Sequence, residues 1–344
     1  MTETFRVGLT RDFMNERGEM AWGDMGLGLL DDAPGVEWEV MAEDVRELEP
    51  RHVEGYDALL VLIPAVPAAT VAAAERLVLV ARFGVGYDAV DVEACTEHGV
   101  LVTITPDGVR RPVAASALTL MLAITHQLVV KDRLTREGRW NDRLDHFGMG
   151  LQGRTIGTVG LGNIGRDFVG LAAPLGARLV AADPYVDARE ARAAGVELVE
   201  LEELLRESDV VVVLAPLTPE TLHLLDAERL ALMKPTAYLV NVARGPIVHQ
   251  AALTAALREG RLAGAALDVF EEEPIDPEDP LLALDNVIVT PHGIAFTDEI
   301  ALGNGTSACQ AIVDVAAGRM PDHPINPEAA ERGRIKKWLE GRAR

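Results

Sequence analysis

The chain has 344 residues, 49% hydrophobic and 25% charged, which is long enough for two domains and ordinary in composition for a soluble globular protein. Its 54 acidic against 32 basic side chains leave a formal net charge of −22, which argues against a nucleic-acid or anionic-membrane surface, because binding phosphates needs basic patches. Two distant cysteines, Cys95 and Cys309, offer neither a metal spacing nor a disulfide framework, so a reducing cytoplasm and no metal are expected.

The first residues, Met-Thr-Glu-Thr-Phe-Arg, lack the charged-then-apolar pattern of a secretory leader. Phe5 to Thr10 then reads as a strand, and Val36 to Met41, apolar and acidic in alternation, as an edge-like strand. Ala58 to Ile63 is a continuous apolar run closed by Pro64, the pattern of a buried parallel strand. A helix around Thr70 to Glu75 follows, then a strand from Leu77 to Arg82. Asp91 is a candidate N-cap for a helix through His98 that Gly99 stops, and Val100 to Ile104 makes one more strand. Strand and helix alternate throughout this part, which implies a small α/β domain. Thr105-Pro106-Asp107-Gly108 reads as a turn and a domain boundary, and Pro112 to Lys131 as one long helix. The apolar stretch within it, Ala114 to Val130, is too short and too polar to span a bilayer and is expected to be buried in the protein or in a subunit interface.

The most informative stretch is Thr155 to Asp183. A strand (Thr155 to Leu161) meets Gly160, Gly162 and Gly165 in the pattern G-x-G-x-x-G. A helix from Ile164 to Leu175 stops at Gly176, and a second strand, Ala177 to Ala182, ends in Asp183. This is the dinucleotide-binding fingerprint in its required strand–turn–helix–strand–acid context. Gly160 permits the tight turn, Gly162 lets the backbone approach a pyrophosphate, and Gly165 lets helix and strand pack closely. Asp183 is placed to accept hydrogen bonds from the adenosine ribose and to repel a 2′-phosphate, which favours NAD over NADP. Further strands are read at Asp209 to Ala215, Ala237 to Ala243, Ala263 to Phe270 and Asn286 to Thr290, giving a doubly wound parallel sheet of about six strands. A helix at 250–259 is stopped by Gly260, and one at 297–318 is expected to cross back to the first domain. The expected domains are 1–104 with 297–330 for substrate and 105–296 for NAD, leaving 331–344 as a peripheral tail. Hinges fall at about 104–106 and 293–297, with closure excluding water.

Ligands of an open parallel sheet bind outside the carboxyl ends of its strands. Arg244, Glu273 and His292 each stand just past such an end. Beside a nicotinamide they form a mechanism. His292 is the acid/base candidate, Glu273 orients the imidazole and favours its charged form, and Arg244 matches the two oxygens of an α-carboxylate. Gly84, Val85 and Gly86, after a strand end of the first domain, are a second candidate cradle for that carboxylate.

With these residues in place the chain resembles the D-isomer-specific 2-hydroxyacid dehydrogenase family, the relatives of phosphoglycerate dehydrogenase and hydroxypyruvate reductase. The resemblance runs from about Leu77 to Asn326. It rests on Phe-Gly-Val-Gly-Tyr-Asp at 83–88, the glycine fingerprint, Pro-Leu-Thr-Pro-Glu-Thr at 216–221, Asn-Val-Ala-Arg-Gly at 241–245, Ala-Leu-Asp-Val-Phe-Glu-Glu-Glu-Pro at 266–274 and Thr-Pro-His at 290–292. It implies two α/β domains, a Rossmann NAD-binding domain inserted into a smaller flavodoxin-like one. It implies that Arg244, Glu273 and His292 are catalytic. It implies NAD contacts at Gly160, Gly162, Asn163, Ile164, Gly165, Asp183, Pro216, Thr221, Val242, Ala243, Arg244, Asp268 and His292. It implies substrate contacts at Gly84, Val85, Gly86 and Arg244, and a homodimer paired through the helix at 112–131. Arg82 stands where phosphoglycerate-type relatives place an arginine near the substrate phosphate, and Arg110 and Arg111 lie in the interdomain loop; if these three serve the substrate, it carries a distal anion, and if they are structural, small acids such as hydroxypyruvate or glyoxylate fit better.

Departures from the family pattern lie at Ala115, Leu214, His249 and the bulky Gly293-Ile294-Ala295-Phe296, and all bear on the interface or the substrate pocket. The expected activity is NAD-dependent interconversion of a D-2-hydroxy acid and its 2-keto acid. The alternatives are an NAD-sensing corepressor-like module on the same scaffold, or a phosphite-oxidising relative.

Overall fold

A computed structural model describes residues 4–342; Met1 to Glu3, on which the leader reading partly rests, and the last two residues of the expected tail lie outside the described residues. The chain divides into two compact units, one holding the described residues up to Val109 together with those from Phe296 onward, the other Arg110–Ala295.

The first unit is a five-stranded parallel sheet of β1 (Phe5–Leu9), β2 (Val36–Val40), β3 (Ala58–Val61), β4 (Leu79–Arg82) and β5 (Leu101–Thr103), in the order β2-β1-β3-β4-β5. This is the flavodoxin-like order. The alternating run at Val36 takes the edge, and the continuous apolar runs of β3 and β4 are buried on both faces. Successive side chains enter opposite cores: Ala58 and Leu60 join the face covered by the helix Asp298–Ala316, Leu59 and Val61 the face covered by Val71 and Cys95. The helix Val92–His98 starts as its sequence predicts, with Asp91 accepting the Ala94 N–H, and ends at Gly99 with φ +66°. Both cysteines are buried free thiols, pushed up to about 12 by burial.

The tail expected at 331–344 is anchored over its described residues. Gly333–Arg342 is a helix that packs on this unit: Ile335 is fully buried, Trp338 lies 5.0 Å from Phe5 and its indole N–H donates to Val315 O at 2.6 Å. The charged residues between these anchors masked an apolar stripe at helical spacing.

The second unit is a seven-stranded parallel sheet: β6 (Thr155–Val159), β7 (Arg178–Ala182), β8 (Glu197–Leu198), β9 (Val210–Val213), β10 (Tyr238–Asn241), β11 (Gly264–Leu267) and β12 (Val287–Val289), ordered β12-β11-β10-β9-β6-β7-β8. The order reverses between β6 and β9, the switch point at which doubly wound sheets bind ligands. The count of about six is short by β8, a two-residue strand without an apolar run to announce it. Val211 and Val213 pack into one core of this sheet and Val210 and Val212 into the other.

The long helix also differs from its reading. It starts at Pro106 and ends at Thr125, with Pro112 inside it; Gln127, at φ +53°, breaks the path, and Leu128–Arg136 continues at a 59° bend. Pro106 sits in the first turn, where a missing N–H costs nothing, so the Pro-Asp-Gly signal marks a helix start and not a turn. The division between units accordingly falls inside this helix, at Val109, and not at Ile104. Among the described residues no single helix is long and apolar enough to cross a membrane.

Candidate active site

The glycine turn leads from β6 into the helix Asn163–Ala172. Gly160 has φ +97°, and a Cβ there would meet Ala215 N at 2.8 Å; one at Gly165 would meet Gly160 O at 2.9 Å. Gly162 faces open space. No side chain caps the helix, and among the described residues the N–H groups of Gly162, Asn163 and Ile164 donate to no acceptor. Unpaired donors at a positive dipole end, with nothing in front of them, fit a pyrophosphate. Asp183 ends β7, and its carboxylate accepts the N–H groups of Leu161 at 2.8 Å and Tyr185 at 2.9 Å. It thereby ties the turn to the neighbouring strand, and its remaining lone pairs suit ribose hydroxyls. The Thr221 hydroxyl donates to Pro216 O and accepts the Thr218 N–H, both at 2.7 Å, so its proton is spent on closing the 216–221 loop.

Arg244, Glu273 and His292 follow β10, β11 and β12, three neighbouring strands of this sheet. The buried Asn241 shapes the first turn: its amide donates to Arg244 O and its carbonyl accepts the Ala243 N–H, both at 3.0 Å. Gly245 comes next, and a Cβ there would lie 1.8 Å from Phe270 O. Only glycine lets the backbone after β10 touch the backbone after β11, which brings the Arg244 and Glu273 segments together. Arg244 Nη1 donates to Ala243 O at 2.8 Å, and its charge acts on Glu273.

The glutamate run is divided by function. Glu271 accepts the Gln250 N–H at 2.9 Å and pairs with His223 at 3.0 Å, whereas Glu273 accepts the Phe270 N–H at 3.0 Å and holds His292 Nδ1 at 2.7 Å. Burial pushes the Glu273 carboxyl up. The His292 hydrogen bond and charge, the Phe270 N–H and Arg244 outweigh it and hold the group below the ordinary carboxylate value. An ionised Glu273 makes Nδ1 the N–H donor, which leaves Nε2 for chemistry on a ring that is about half exposed.

His292 has φ +50°, in the left-handed region that a non-glycine residue keeps only under constraint. Asp268, buried at the end of β11, supplies the constraint. Its Oδ1 accepts the Thr290 hydroxyl at 2.6 Å and the N–H groups of Gly293 and Ile294 at 3.0 and 3.1 Å, clamping the segment on both sides of His292. Burial pushes the Asp268 carboxyl up from its ordinary value, against the pull of these donors.

In the first unit, β4 runs into Gly84 at φ +146°, and among the described residues the N–H groups of Gly84, Val85 and Gly86 donate to no acceptor. Three consecutive unpaired donors make a concave anion cradle. Arg82, expected as a substrate contact, supports this loop. It is 8% exposed, and its guanidinium donates to Gly86 O at 2.9 Å and Val61 O at 3.3 Å. Arg110 is likewise engaged, in a two-bond pair with Asp167 at 2.8 and 2.9 Å that pulls that carboxyl below the usual range.

A family model described as D-isomer specific 2-hydroxyacid dehydrogenase, NAD binding domain, matches residues 118–293. The chain belongs to this family. It is 40% identical over 298 residues to a glyoxylate reductase of Thermococcus onnurineus, covering 85% of this chain and 89% of that one. It is 41% identical over 271 residues to a D-3-phosphoglycerate dehydrogenase of Methanocaldococcus jannaschii, covering 77% of this chain but only 51% of that longer protein. Among solved structures, D-lactate dehydrogenase from Aquifex aeolicus, complexed with NAD and lactic acid, superposes with a TM-score of 0.81 at 25% identity over 93% of this chain and 99% of that one. This member of the dehydrogenase family is thus an NAD-dependent oxidoreductase of D-2-hydroxy acids and their 2-keto acids.

Two parts of this dehydrogenase site escaped sequence reasoning. Asn241 and Thr290 carry no charge, and only a polar residue at each strand end hinted at them. Asp268 was read as an NAD contact, and its role as the clamp on the His292 segment needs the fold to bring β11 beside β12.

Proposed function

We propose that His292 is the acid/base of this dehydrogenase, Glu273 its orienting partner, and Arg244 the holder of the substrate's carboxylate. The observation that carries this is the 2.7 Å Glu273–His292 pair beside the Arg244 turn at three adjacent strand ends. NAD, bound along the glycine turn and Asp183, supplies the two-electron hydride acceptor or donor. In the oxidising direction His292 Nε2 takes the proton of the C2 hydroxyl as the C2–H bond breaks with its electron pair, and the carbon–oxygen double bond forms. In reduction the same nitrogen returns the proton to the carbonyl oxygen. Glu273, ionised throughout, stabilises the imidazolium that forms in the first case and is needed in the second. The planar fork of Arg244 binds the carboxylate and fixes which face of C2 is presented. Within the first unit, the N–H groups of Gly84–Gly86 by themselves suit a carboxylate.

NADH-dependent reduction of glyoxylate, hydroxypyruvate and 3-phosphohydroxypyruvate tests this reading. His292→Ala is expected to lower kcat by about 10²–10⁴ with NADH affinity nearly unchanged. Wild-type turnover in that variant sinks the assignment. We also infer a homodimer: Leu128, Val129, Trp140, Leu144 and Phe147 are five large apolar side chains exposed within residues 128–147 of the second unit. Light scattering giving a monomer mass at micromolar concentration counts against it.

A further inference from the structure

The carboxyl edge of the first unit's sheet carries exposed apolar side chains as well as the N–H groups of Gly84–Gly86, which have no acceptor among the described residues. Ile63, 66% exposed, follows β3, whose pairing with β4 sets Val61 opposite Arg82 and so brings Ile63 level with the glycine loop. Phe83, which opens that loop, lies 4.9 Å from Trp22, and Trp22 lies 4.5 Å from Phe296, which is 57% exposed. Three rings drawn from distant parts of the chain thus form one cluster of edge-on and tilted contacts, and Phe83 ties it to the start of the glycine loop. Phe296 is also only four residues after His292 in the chain.

The charges at this edge point the same way. Arg82 is buried and engaged with Gly86 O and Val61 O. Arg11 turns its guanidinium toward Gly18. Asp12 adds no cation: its Oδ2 accepts the Ile63 N–H at 2.7 Å, and burial pushes its carboxyl up from the ordinary value. A phosphate needs basic partners, whereas exposed apolar surface beside a carboxylate cradle favours a hydrocarbon group.

On the reading that Gly84–Gly86 cradles the substrate's carboxylate, we propose that Ile63 and the Trp22–Phe296 ring pair form a subsite for a bulky apolar C3 substituent. The substrate class is therefore a branched-chain or aryl 2-keto acid (or the matching D-2-hydroxy acid), not a phosphorylated one.

The test is kcat/KM with NADH for 4-methyl-2-oxopentanoate, phenylpyruvate, glyoxylate and 3-phosphohydroxypyruvate in the wild type, Ile63→Ala, Phe296→Ala and Phe296→Leu. The wild type is expected to favour at least one of the two apolar acids over both others by about tenfold or more. Each alanine variant is expected to lower the ratio of that acid to glyoxylate by about tenfold, with Phe296→Leu recovering part of it. Glyoxylate has no C3, so the ratio cancels any general loss of fold. A wild-type preference for glyoxylate or the phosphorylated acid overturns the subsite alone, and so does an unchanged ratio in both alanine variants. Turnover of none of the four acids overturns both the subsite and the function on which it rests.

Discussion

Asp268→Ala is the most informative single change. In the wild type Oδ1 receives three hydrogen bonds, from Thr290, Gly293 and Ile294, and they hold His292 at φ +50°. A bond to a charged acceptor contributes about 1.5–3 kcal/mol, while a left-handed non-glycine residue costs about 1–2 kcal/mol, so the clamp outweighs the strain it enforces. Alanine removes the clamp and leaves the strain. His292 then relaxes toward an unstrained backbone, and the working geometry becomes a minority conformation by about that 1–2 kcal/mol, a loss of about 5- to 30-fold in kcat. Asp268→Asn keeps an acceptor oxygen at the same place and should retain most of the activity. Single-turnover reduction of a 2-keto acid reads the effect, and fluorescence titration reads NADH affinity. A folded Asp268→Ala enzyme with wild-type kcat, or one in which only NADH affinity falls, refutes the positional argument and returns Asp268 to the role of a cofactor contact.

Three further outcomes follow from particular contacts. Gly162→Val places a branched side chain in the open space before the unpaired N–H groups, so NADH affinity should fall at least tenfold with little change in Tm; equal affinity would show that the pyrophosphate lies elsewhere. Ile335→Ala should cost about 2–5 kcal/mol and lower the thermal transition of the first unit, as calorimetry would register; no shift would restore the tail to a peripheral role. Glu273 is lowered in the folded protein, so its stabilising pair with His292 is fully present above the unfolded carboxyl value and is lost as pH falls through the folded one. Both side chains are more than a third exposed, so the pair contributes at most about 1 kcal/mol. Denaturant titrations of wild type and Glu273→Gln should therefore differ slightly at pH 6 and converge below about pH 4; a gap that widens on acidification contradicts the sign.

The sequence by itself determined the elements whose causes are local. The apolar runs of β3 and β9, the Asp91 cap and Gly99 stop, and the spacing of Gly160, Gly162 and Gly165 each follow from side-chain chemistry within a few residues. They placed the dinucleotide turn and set Arg244, Glu273 and His292 at strand ends. Only tertiary structure decided the rest, because its causes join residues far apart in the chain. The Gly245–Phe270 backbone contact, the Asp268 clamp on His292, the bond from Arg82 to its own loop and the docking of Ile335 and Trp338 each depend on which elements become neighbours. A charged residue in a loop reads alike whether it faces a substrate or a carbonyl. Its partner, which the fold supplies, decides between them.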